Sequence, residues 1–505
     1  MNQVRHELSQ RALESYLWGA ANLLRGLVDA GDYKQFIFPL LFFKRLSDVW
    51  DEDYKNALDA TFDEGFARDT ANDRFAVPEG AHWSDVRAAP SEVGRALVNA
   101  FRAIEGANTE RLAGVFGSAP WTDKAQVPDA TIKNLIEHFS QHSLSLASVP
   151  EDELGDAYEF LIKEFADDSG HTAQEFYTNR TLVHLMTRML DPRAGERIYD
   201  PTVGTGGMLI SALADVHRRG GEARTLGLYG QELIHTTASI ARMNLVLHGV
   251  EDFFIETGNT LSAPAFVEHS RLMTFNVILA NPPYSIKKWN REAWQSDPWG
   301  RNVLGTPPQG CADYAFFQHI LASLDPETGR CAILFPHGVL FRKKEARMRR
   351  RLIELDLIEC VLGLGPNLFY NSPMEACVVI CRTRKPRERR DRILVIDGIQ
   401  EIAREGAQSF LKQEHQERIL RAYRAFDDEP GFSKVVTQTE VLARGGSLSI
   451  PLYLPPVPRE AVGTLDGTLD MLWDHFEASG PGFWRHMTAL GDKLDSMVEE
   501  GTTDA

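Results

Sequence analysis

Two adjacent prolines at the end of a short apolar run place a rigid loop at the edge of a predicted sheet. The run at 275–280 is apolar enough for a buried strand, and Asn281-Pro282-Pro283-Tyr284 follows it directly. Proline lacks an amide hydrogen and fixes its own φ, so the pair excludes both a continued strand and a helix interior. Open α/β sheets place ligands at the carboxyl ends of their parallel strands. The motif therefore predicts a ligand-facing loop in an α/β domain.

The side chains of this loop suit the methylation of an exocyclic amine on a base. The side-chain oxygen of Asn281 and the carbonyl of Pro282 can each accept a hydrogen bond from an adenine N6 amine. Tyr284 offers an aromatic face on which a base taken out of the duplex can stack. The alternative is a proline-rich turn whose tyrosine fills the core, and the tetrapeptide alone leaves both interpretations open.

The character of the chain changes near residue 150. Residues 1–150 show helical periodicity with a loop-rich excursion at 59–91, which predicts a helical N-terminal domain. Between 151 and 400, short apolar runs alternate with helical segments, which predicts a mostly parallel α/β sheet. Residues 401–505 are charged and irregular, with an amphipathic patch at 465–476, and predict a C-terminal extension with helices. The strand candidates are 197–199, 225–229, 277–280, 331–335, 358–364 and 376–381.

Composition restricts the partners and the compartment. The 505 residues carry a formal net charge of −17, whereas a protein that grips DNA alone is usually basic. Either basic residues gather on one face, or a partner supplies much of the grip. The apolar stretch at 36–43 is too short to cross a membrane, and the N-terminus lacks a signal-peptide hydrophobic region. Five cysteines without a Cys-x-x-Cys pair predict reduced core thiols, a cytoplasmic protein and no metal site.

A glycine-rich turn follows the first strand candidate of the middle domain. Residues 200–207 are Asp-Pro-Thr-Val-Gly-Thr-Gly-Gly. Gly204, Gly206 and Gly207 let the backbone approach a ligand closely. The turn lacks the lysine of a P-loop and the full dinucleotide-binding spacing. Asp200, at the strand end, suits a ligand with a positive ammonium group such as S-adenosylmethionine; the alternative is that it caps the following turn.

Three further segments are candidates for the same cofactor. Glu232 follows the second strand candidate, where a carboxylate can accept hydrogen bonds from two ribose hydroxyls; the alternative is a surface glutamate. Asn259, after a third strand, would lie near the cofactor's adenine, where an acid is usual. An upstream segment mixes aromatic and polar groups before a helix at 182–190, and its alternative role is a capped helix entry. It comprises Glu175, Phe176, Tyr177, Thr178, Asn179 and Arg180.

In order and content, these motifs resemble the modification (M) subunit of type I restriction–modification systems, an adenine-N6 DNA methyltransferase. The resemblance extends over nearly the whole chain, including the helical segments near 17–25 and 40–46 and the motifs at 335–341 and 366–370. It implies a Rossmann-like S-adenosylmethionine-dependent methyltransferase domain, a helical N-terminal domain and C-terminal helices. The cofactor contacts that it implies are residues 175–180, Thr205, Gly206, Gly207 and Glu232.

The resemblance also implies partners. Double-stranded DNA is the substrate, and a separate specificity (S) subunit selects the sequence, with two M subunits to each S subunit. It leaves open the DNA target and whether a restriction (R) subunit joins, and it implies no metal and no membrane. Asn179 stands where the family usually has proline, and Asn259 where an acid is common. Both departures concern contacts with the cofactor rather than the methyl-transfer step.

Two rival functions differ in class. A self-sufficient adenine methylase would need a long target-recognition insertion, for which there is no room after residue 400. A catalytically silent assembly component would not need the intact motif at 281–284 or Glu232. The basic run at 342–351 is either a solvated helix face or a contact with DNA or a partner. A second basic run, 382–390, predicts an exposed loop.

Overall fold

The computed structural model describes residues 8–168, 178–284, 286–368, 375–405 and 408–455. These residues belong to one unit that ends at Pro455. The amphipathic patch at 465–476 lies outside the described residues. No helix within the described ranges combines the length and the apolar character that a membrane span requires.

The first part of the chain is built from helices packed around a common apolar core. The loop-rich excursion expected at 59–91 contains two of them, because a few buried residues such as Ala67 and Trp83 are enough to anchor short helices in a polar segment. The helices are α1 (Gln10–Leu24), α2 (Lys34–Thr61), α3 (Glu64–Asn72), α4 (Trp83–Arg87), α5 (Val93–Ala107), α6 (Thr109–Leu112), α7 (Asp129–Phe139) and α8 (Glu151–Asp168).

Strands and helices alternate in the rest of the described chain. The helices are α9 (Arg180–Leu190), α10 (Gly207–Arg218), α11 (His235–Leu247), α12 (Arg291–Gln295), α13 (Asp313–Ala322), α14 (Ala346–Glu354), α15 (Gln413–Ala425) and α16 (Gln438–Ala443). The strands are β1 (Arg197–Asp200), β2 (Gly227–Glu232), β3 (Phe253–Thr257), β4 (Val267–Glu268), β5 (Arg271–Leu272), β6 (Val277–Ala280), β7 (Arg330–Pro336), β8 (Ile358–Leu364), β9 (Ala376–Arg382), β10 (Arg392–Gly398), β11 (Ala403–Glu405), β12 (Gln408–Phe410) and β13 (Ser433–Thr437).

Nine of these strands form one sheet in the order β13-β10-β8-β9-β7-β6-β1-β2-β3. β9 runs antiparallel to β7 and β8, and β13 runs antiparallel to β10. The other ladders are parallel, so seven of the nine strands share one direction. The α/β sheet expected from the sequence is confirmed.

The sheet continues beyond residue 400, where the sequence suggested that the catalytic domain ends. β13 pairs with β10 along five residues, and α15 packs Ile419, Leu420 and Tyr423 into the core on one face of the sheet. Residues 408–455 thus extend the sheet and its layers. β13 is short and half-buried, so its sequence lacks the apolar run of a central strand.

One helix joins the N-terminal helices to the sheet. α11 places Ile240, Met243 and Leu247 in the core of the helical part, while Ala238 and Ala241 face the core of the sheet. The buried residues of α11 also include polar side chains, among them Arg242 and Asn244. Since α11 begins shortly after the end of β2, the two parts of the molecule meet beside the carboxyl ends of β1 and β2.

Candidate active site

The glycine-rich loop joins the end of β1 to the start of α10. Gly204 and Gly206 have φ values of 54° and 86°, a region that favours glycine because it has no Cβ. A Cβ on Gly207 would lie 1.7 Å from the guanidinium of Arg180. These three positions therefore need glycine for the loop to take this path.

Backbone and carboxylate contacts tie this loop to the end of β2. The Val203 amide donates to the Gln231 carbonyl at 3.0 Å, and the Gly204 amide donates to Oε2 of Glu232 at 3.1 Å. Oε1 of Glu232 accepts from the Ile234 amide at 2.9 Å. Glu232 therefore bridges two loops at the cleft, which a free surface glutamate would not do.

Asp200 is a buried acid in the same place. It is only 2% exposed, and its Oδ1 accepts from the Thr202 amide at 2.9 Å, so it does cap the turn that follows β1. Burial raises the pKa of Asp200 to about 7, and the neighbouring Glu232 carboxylate also raises it, while the Thr202 hydrogen bond opposes both. A buried acid that faces a second acid favours a cation nearby. This chemistry fits a positively charged methyl donor.

A partly buried ion pair supports the loop. Arg180 in α9 pairs with Glu159 in α8, and Asn244 in α11 donates to Glu159 at 2.6 Å and to the Thr205 carbonyl at 2.8 Å. Burial favours the neutral acid, but the charge of Arg180 and its hydrogen bond hold the pKa of Glu159 below its ordinary value. The sequence analysis missed Glu159 and Asn244, because three helices distant in the chain bring them to the loop.

Two predicted cofactor residues stabilise their own turns. Asn179 is the N-cap of α9, where its Oδ1 accepts from the Thr181 amide at 3.0 Å. Oδ1 of Asn259 accepts from the backbone amides two and three residues further on, at 3.0 and 3.2 Å. Contacts of these side chains with a cofactor remain predictions. Three other predicted residues, Glu175, Phe176 and Tyr177, lie outside the described residues.

The motif after β6 is held by side-chain hydrogen bonds. Nδ2 of Asn281 donates to Oγ1 of Thr178 at 3.0 Å, and Oδ1 of Asn281 accepts from the Tyr284 hydroxyl at 2.8 Å. An amide oxygen can accept two hydrogen bonds, so one acceptor position remains for an incoming amine. The bond between the Tyr284 hydroxyl and Asn281 was not predicted from the sequence. Tyr284 and Pro283 are half-buried, and Pro282 is buried.

The glycine loop and Asn281 line one cleft. β1 and β6 are parallel neighbours, so their carboxyl ends bring Asp200 and Asn281 to the same edge, as the topology of open sheets requires. The lining residues are Thr178, Arg180, Asp200, Thr202, Val203, Gly204, Thr205, Gly207, Met208 and Asn281.

A nearby group of buried acids and a thiol has the composition of a metal site. Cys311, Asp313 and Glu345 place their potential ligand atoms within 4.8 Å of one another. Arg342, however, pairs with both carboxylates, so a guanidinium already supplies the positive charge. We assign no ion to this group. All five cysteines are buried and free, which confirms the expectation of core thiols.

Comparisons with known proteins identify the family. Residues 149–461 match the family model for N-6 DNA methylase, and residues 13–139 match that for the HsdM N-terminal domain. The methylase subunit of the type I restriction enzyme MjaVIII from Methanocaldococcus jannaschii is 30% identical over 484 residues, which cover 90% of this chain and 80% of that protein. The MpnII methylase subunit from Mycoplasma pneumoniae is 25% identical over 493 residues, covering 88% and 89%.

A solved structure shows the same architecture. The type I restriction–modification methyltransferase subunit from Streptococcus thermophilus superposes with a TM-score of 0.78 at 28% identity, covering 88% of this chain and 100% of that one. The resemblance drawn from the motifs is confirmed along most of the chain. This chain belongs to the N-6 DNA methylase family, among the methylase subunits of type I restriction enzymes.

Proposed function

We propose that this chain transfers a methyl group from S-adenosylmethionine to the N6 amine of an adenine in double-stranded DNA. The observation that carries the proposal is the shared cleft, where Asn281 and the glycine loop at 204–207 line one space. A donor held at the loop and an amine held at Asn281 would then be close enough to react. A silent assembly role would require neither half of this arrangement.

The acceptor half of the cleft, formed by residues 281–284, acts by holding the amine. The N6 lone pair of neutral adenine is delocalised into the ring, so the amine is a poor nucleophile. Hydrogen bonds from N6 to Oδ1 of Asn281 and to the Pro282 carbonyl favour a more tetrahedral nitrogen whose lone pair points into the cleft. The ring of Tyr284 offers a face for the extruded base. These residues contribute orientation and electrostatic stabilisation, without a covalent enzyme intermediate.

The donor half of the cleft, formed by the glycine loop, Asp200 and Glu232, favours a positively charged ligand. S-adenosylmethionine, when bound, supplies the methyl group on a positively charged sulfur. Asp200 and Glu232 provide the negative charge that such a ligand needs, and Glu232 can exchange its bond to the Gly204 amide for ribose hydroxyls. The roles of residues 175–180 and Asn259 in holding the donor belong to this proposal.

The relatives are named as methylase subunits of type I restriction enzymes. We infer that this chain likewise works in a complex with a specificity subunit that selects the DNA sequence, with two copies per specificity subunit, in the cytoplasm. The net charge of −17 supports this division of labour, because a partner that grips DNA relieves the chain of that task. A restriction subunit is a further candidate partner.

The test is methyl transfer with and without the partner. The full chain, purified alone and together with the product of its neighbouring specificity gene, is incubated with unmethylated plasmid and labelled S-adenosylmethionine, and N6-methyladenine is mapped by sequencing. Sequence-specific methylation is expected only from the complex. Equally specific methylation by the chain alone would favour the self-sufficient alternative, and no methylation by the complex would contradict the proposal.

A further inference from the structure

The two basic runs of the catalytic part lie at opposite ends of the parallel strands, one at their carboxyl ends and the other at their amino ends. β7 is parallel to β6, so the run 342–351, which follows β7, emerges at the edge that carries Asn281. β9 is antiparallel to β7, so the run 382–390, which follows β9, emerges at the opposite edge. The strand directions alone therefore distinguish a basic segment near the cleft from one far from it.

Four of the six basic residues in the run at the far edge form ion pairs with carboxylates. Arg382 and Arg389 both contact the fully buried Glu359, at 3.1 and 3.3 Å. Two further bases of the run 382–390 also form ion pairs. Ion pairs thus anchor several of its side chains, while most of the run is exposed and lies outside the strands, as expected for an exposed loop.

The run near the cleft is fixed by its own inward-facing arginines. Arg342 pairs with Asp313 and Glu345, and the buried Arg349 donates to the Arg342 carbonyl at 3.2 Å. The turn that follows Arg342 is therefore held from below. The backbone positions from which the outward-facing side chains project are therefore fixed.

Several exposed bases of this run form no ion pair in the described part of the chain, whereas the exposed Arg350 pairs with Glu354. Lys343, Lys344 and Arg347 are exposed, and no carboxylate of a described residue forms an ion pair with them. Lys287 and Lys288, shortly after Tyr284, are likewise exposed and without an ion pair among the described residues. We call these five residues the cleft-edge cations.

The backbone that carries the second lysine pair is also fixed. The side chain of Gln309 donates to the carbonyls of Lys287 and Trp289, at 2.9 and 3.3 Å. The indole of Trp289 donates back to the Gln309 carbonyl at 3.2 Å. Lys287 and Lys288 thus project from a loop clamped by side-chain hydrogen bonds, directly after the catalytic motif.

Both lysine pairs are attached to the beginning of α13. Asp313, its first residue, pairs with Arg342. Ile286 and Trp289 pack against the apolar cluster that includes Ala312, the N-cap of the same helix. Each lysine pair thus has a neighbouring residue that packs against the N-terminus of α13. This helix terminus lies at the carboxyl ends of the parallel strands, as the motif at 281–284 does.

We propose that the cleft-edge cations bind phosphates of the DNA strand on either side of the adenine that enters the cleft. The inference rests on the proposed function, because DNA is the acceptor there. Extruding a base costs free energy, and phosphate contacts beside it help to hold the distorted backbone. Cations on a fixed backbone lose less conformational freedom when they bind, which strengthens such contacts.

Charge-removing variants test this binding surface. The variants Lys287→Gln/Lys288→Gln and Lys343→Gln/Lys344→Gln are compared with Arg224→Gln/Arg387→Gln. The control removes two exposed bases that have no ion pair among the described residues and lie at the opposite edge of the sheet. The full chain, purified with its specificity partner, is titrated with a fluorescent duplex that contains the mapped target, at several salt concentrations. Donor affinity is measured separately without DNA.

Each lysine-pair variant is expected to lose about tenfold in DNA affinity, with the slope of log affinity against log salt reduced by about 1–2. The control keeps the wild-type slope, and donor affinity is the same in all variants. Equal losses in the control, or an unchanged slope in the lysine variants, would overturn the proposal. The proposal would also be overturned by a lysine variant that binds DNA normally but loses the specificity partner during purification. The cations would then contact an acidic protein surface. Lysine-dependent binding by a wild type that transfers no methyl group would support this surface and refute the proposed function.

Discussion

The donor and acceptor halves of the cleft are built by different means. In the donor half, backbone amides of the loop bond to the end of β2 and to Glu232, and glycines permit the turn. In the acceptor half, Asn281 is held by two side-chain hydrogen bonds, one of them to Thr178, which is 103 positions away in the chain. A site made of backbone tolerates the loss of one side chain better than a site made of side chains. Substitutions in the acceptor half should therefore be more severe.

The largest effect is expected from Asn281→Ala. The change removes the side-chain acceptor for N6 and leaves the glycine loop intact, because Asn281 makes no hydrogen bond to that loop among the described residues. Loss of one preorganised electrostatic group typically lowers the rate by about 10²–10³. The measurement is single-turnover methylation by the assembled complex at saturating DNA.

Calorimetric titration with S-adenosylmethionine provides the control for this variant. Donor affinity should fall far less than the methylation rate, since Asp200, Glu232 and the glycine loop are unchanged and only the bond of Asn281 to Thr178 is lost on the donor side. A wild-type methylation rate in Asn281→Ala would show that the amine is oriented by other groups. A variant that no longer binds the donor would show instead that the two halves are not separable.

A smaller loss is expected from Glu232→Ala in the donor half. Glu232 bonds to the Gly204 and Ile234 amides, so alanine removes both a candidate ribose acceptor and a brace of the loop. Donor binding should weaken by about 1–3 kcal/mol, the usual cost of losing a buried hydrogen-bond partner. Glu232→Gln keeps one acceptor and should lose less. Equal affinity in all three proteins, measured by calorimetry, would remove Glu232 from the donor site.

The pH dependence of donor binding should identify Asp200. Its pKa is raised to about 7 by burial, so the donor-free folded protein holds a proton that a cationic ligand would expel. Donor affinity should therefore rise with pH, by up to about tenfold per unit below the pKa, and level off above it. Asp200→Asn should flatten this profile. A profile of the same shape in both proteins would mean that another group titrates.

The same shift affects the stability of the donor-free protein. An acid whose folded pKa is raised binds its proton more tightly in the folded state, so Asp200 lowers the free energy of unfolding as pH rises from its ordinary pKa towards 7. Asp200→Asn should reduce this decline, measured by urea unfolding at several pH values. The donor should restore stability most strongly above pH 7, where Asp200 is ionised.

Local pattern predicted the backbone of both halves better than it predicted their side-chain contacts. The glycine spacing at 204–207 and the end of β6 at Ala280 follow from short-range rules on turns and apolar runs, and both hold in the structure. The bond of Asn281 to Tyr284 and the Glu159–Arg180 pair depend on side-chain orientation or on the packing of distant helices, which spacing does not encode.

The sheet shows the same limit. Its central strands β6 and β8 match their predicted bounds, because a strand buried on both faces is a continuous apolar run. The edge strand β13 was not among the predicted strands, and β3 was expected only as a third strand before Asn259, without bounds. β10 was also missed, although Ile393–Ile396 is an apolar run of the kind that predicts a strand.

The smallest effect is expected from Tyr284→Phe, and it distinguishes two ways in which this residue can act. The hydroxyl donates to Oδ1 of Asn281 at 2.8 Å, whereas the ring offers the stacking face. Phenylalanine keeps the ring but removes the hydrogen bond that fixes the amide of Asn281. The methylation rate should fall by a factor that corresponds to about 0.5–1.5 kcal/mol of lost transition-state stabilisation. Tyr284→Ala removes both contributions and should lose about 1–3 kcal/mol more from base stacking.

Both rates are measured in single turnovers at saturating DNA beside Asn281→Ala and the double variant Tyr284→Phe/Asn281→Ala. If the hydroxyl acts by orienting Asn281, the phenylalanine change should have no additional effect once Asn281 is gone, because its partner is absent. A full additional loss in the double variant would show that the hydroxyl contacts the base or the backbone directly, and the acceptor half would then depend on two independent groups.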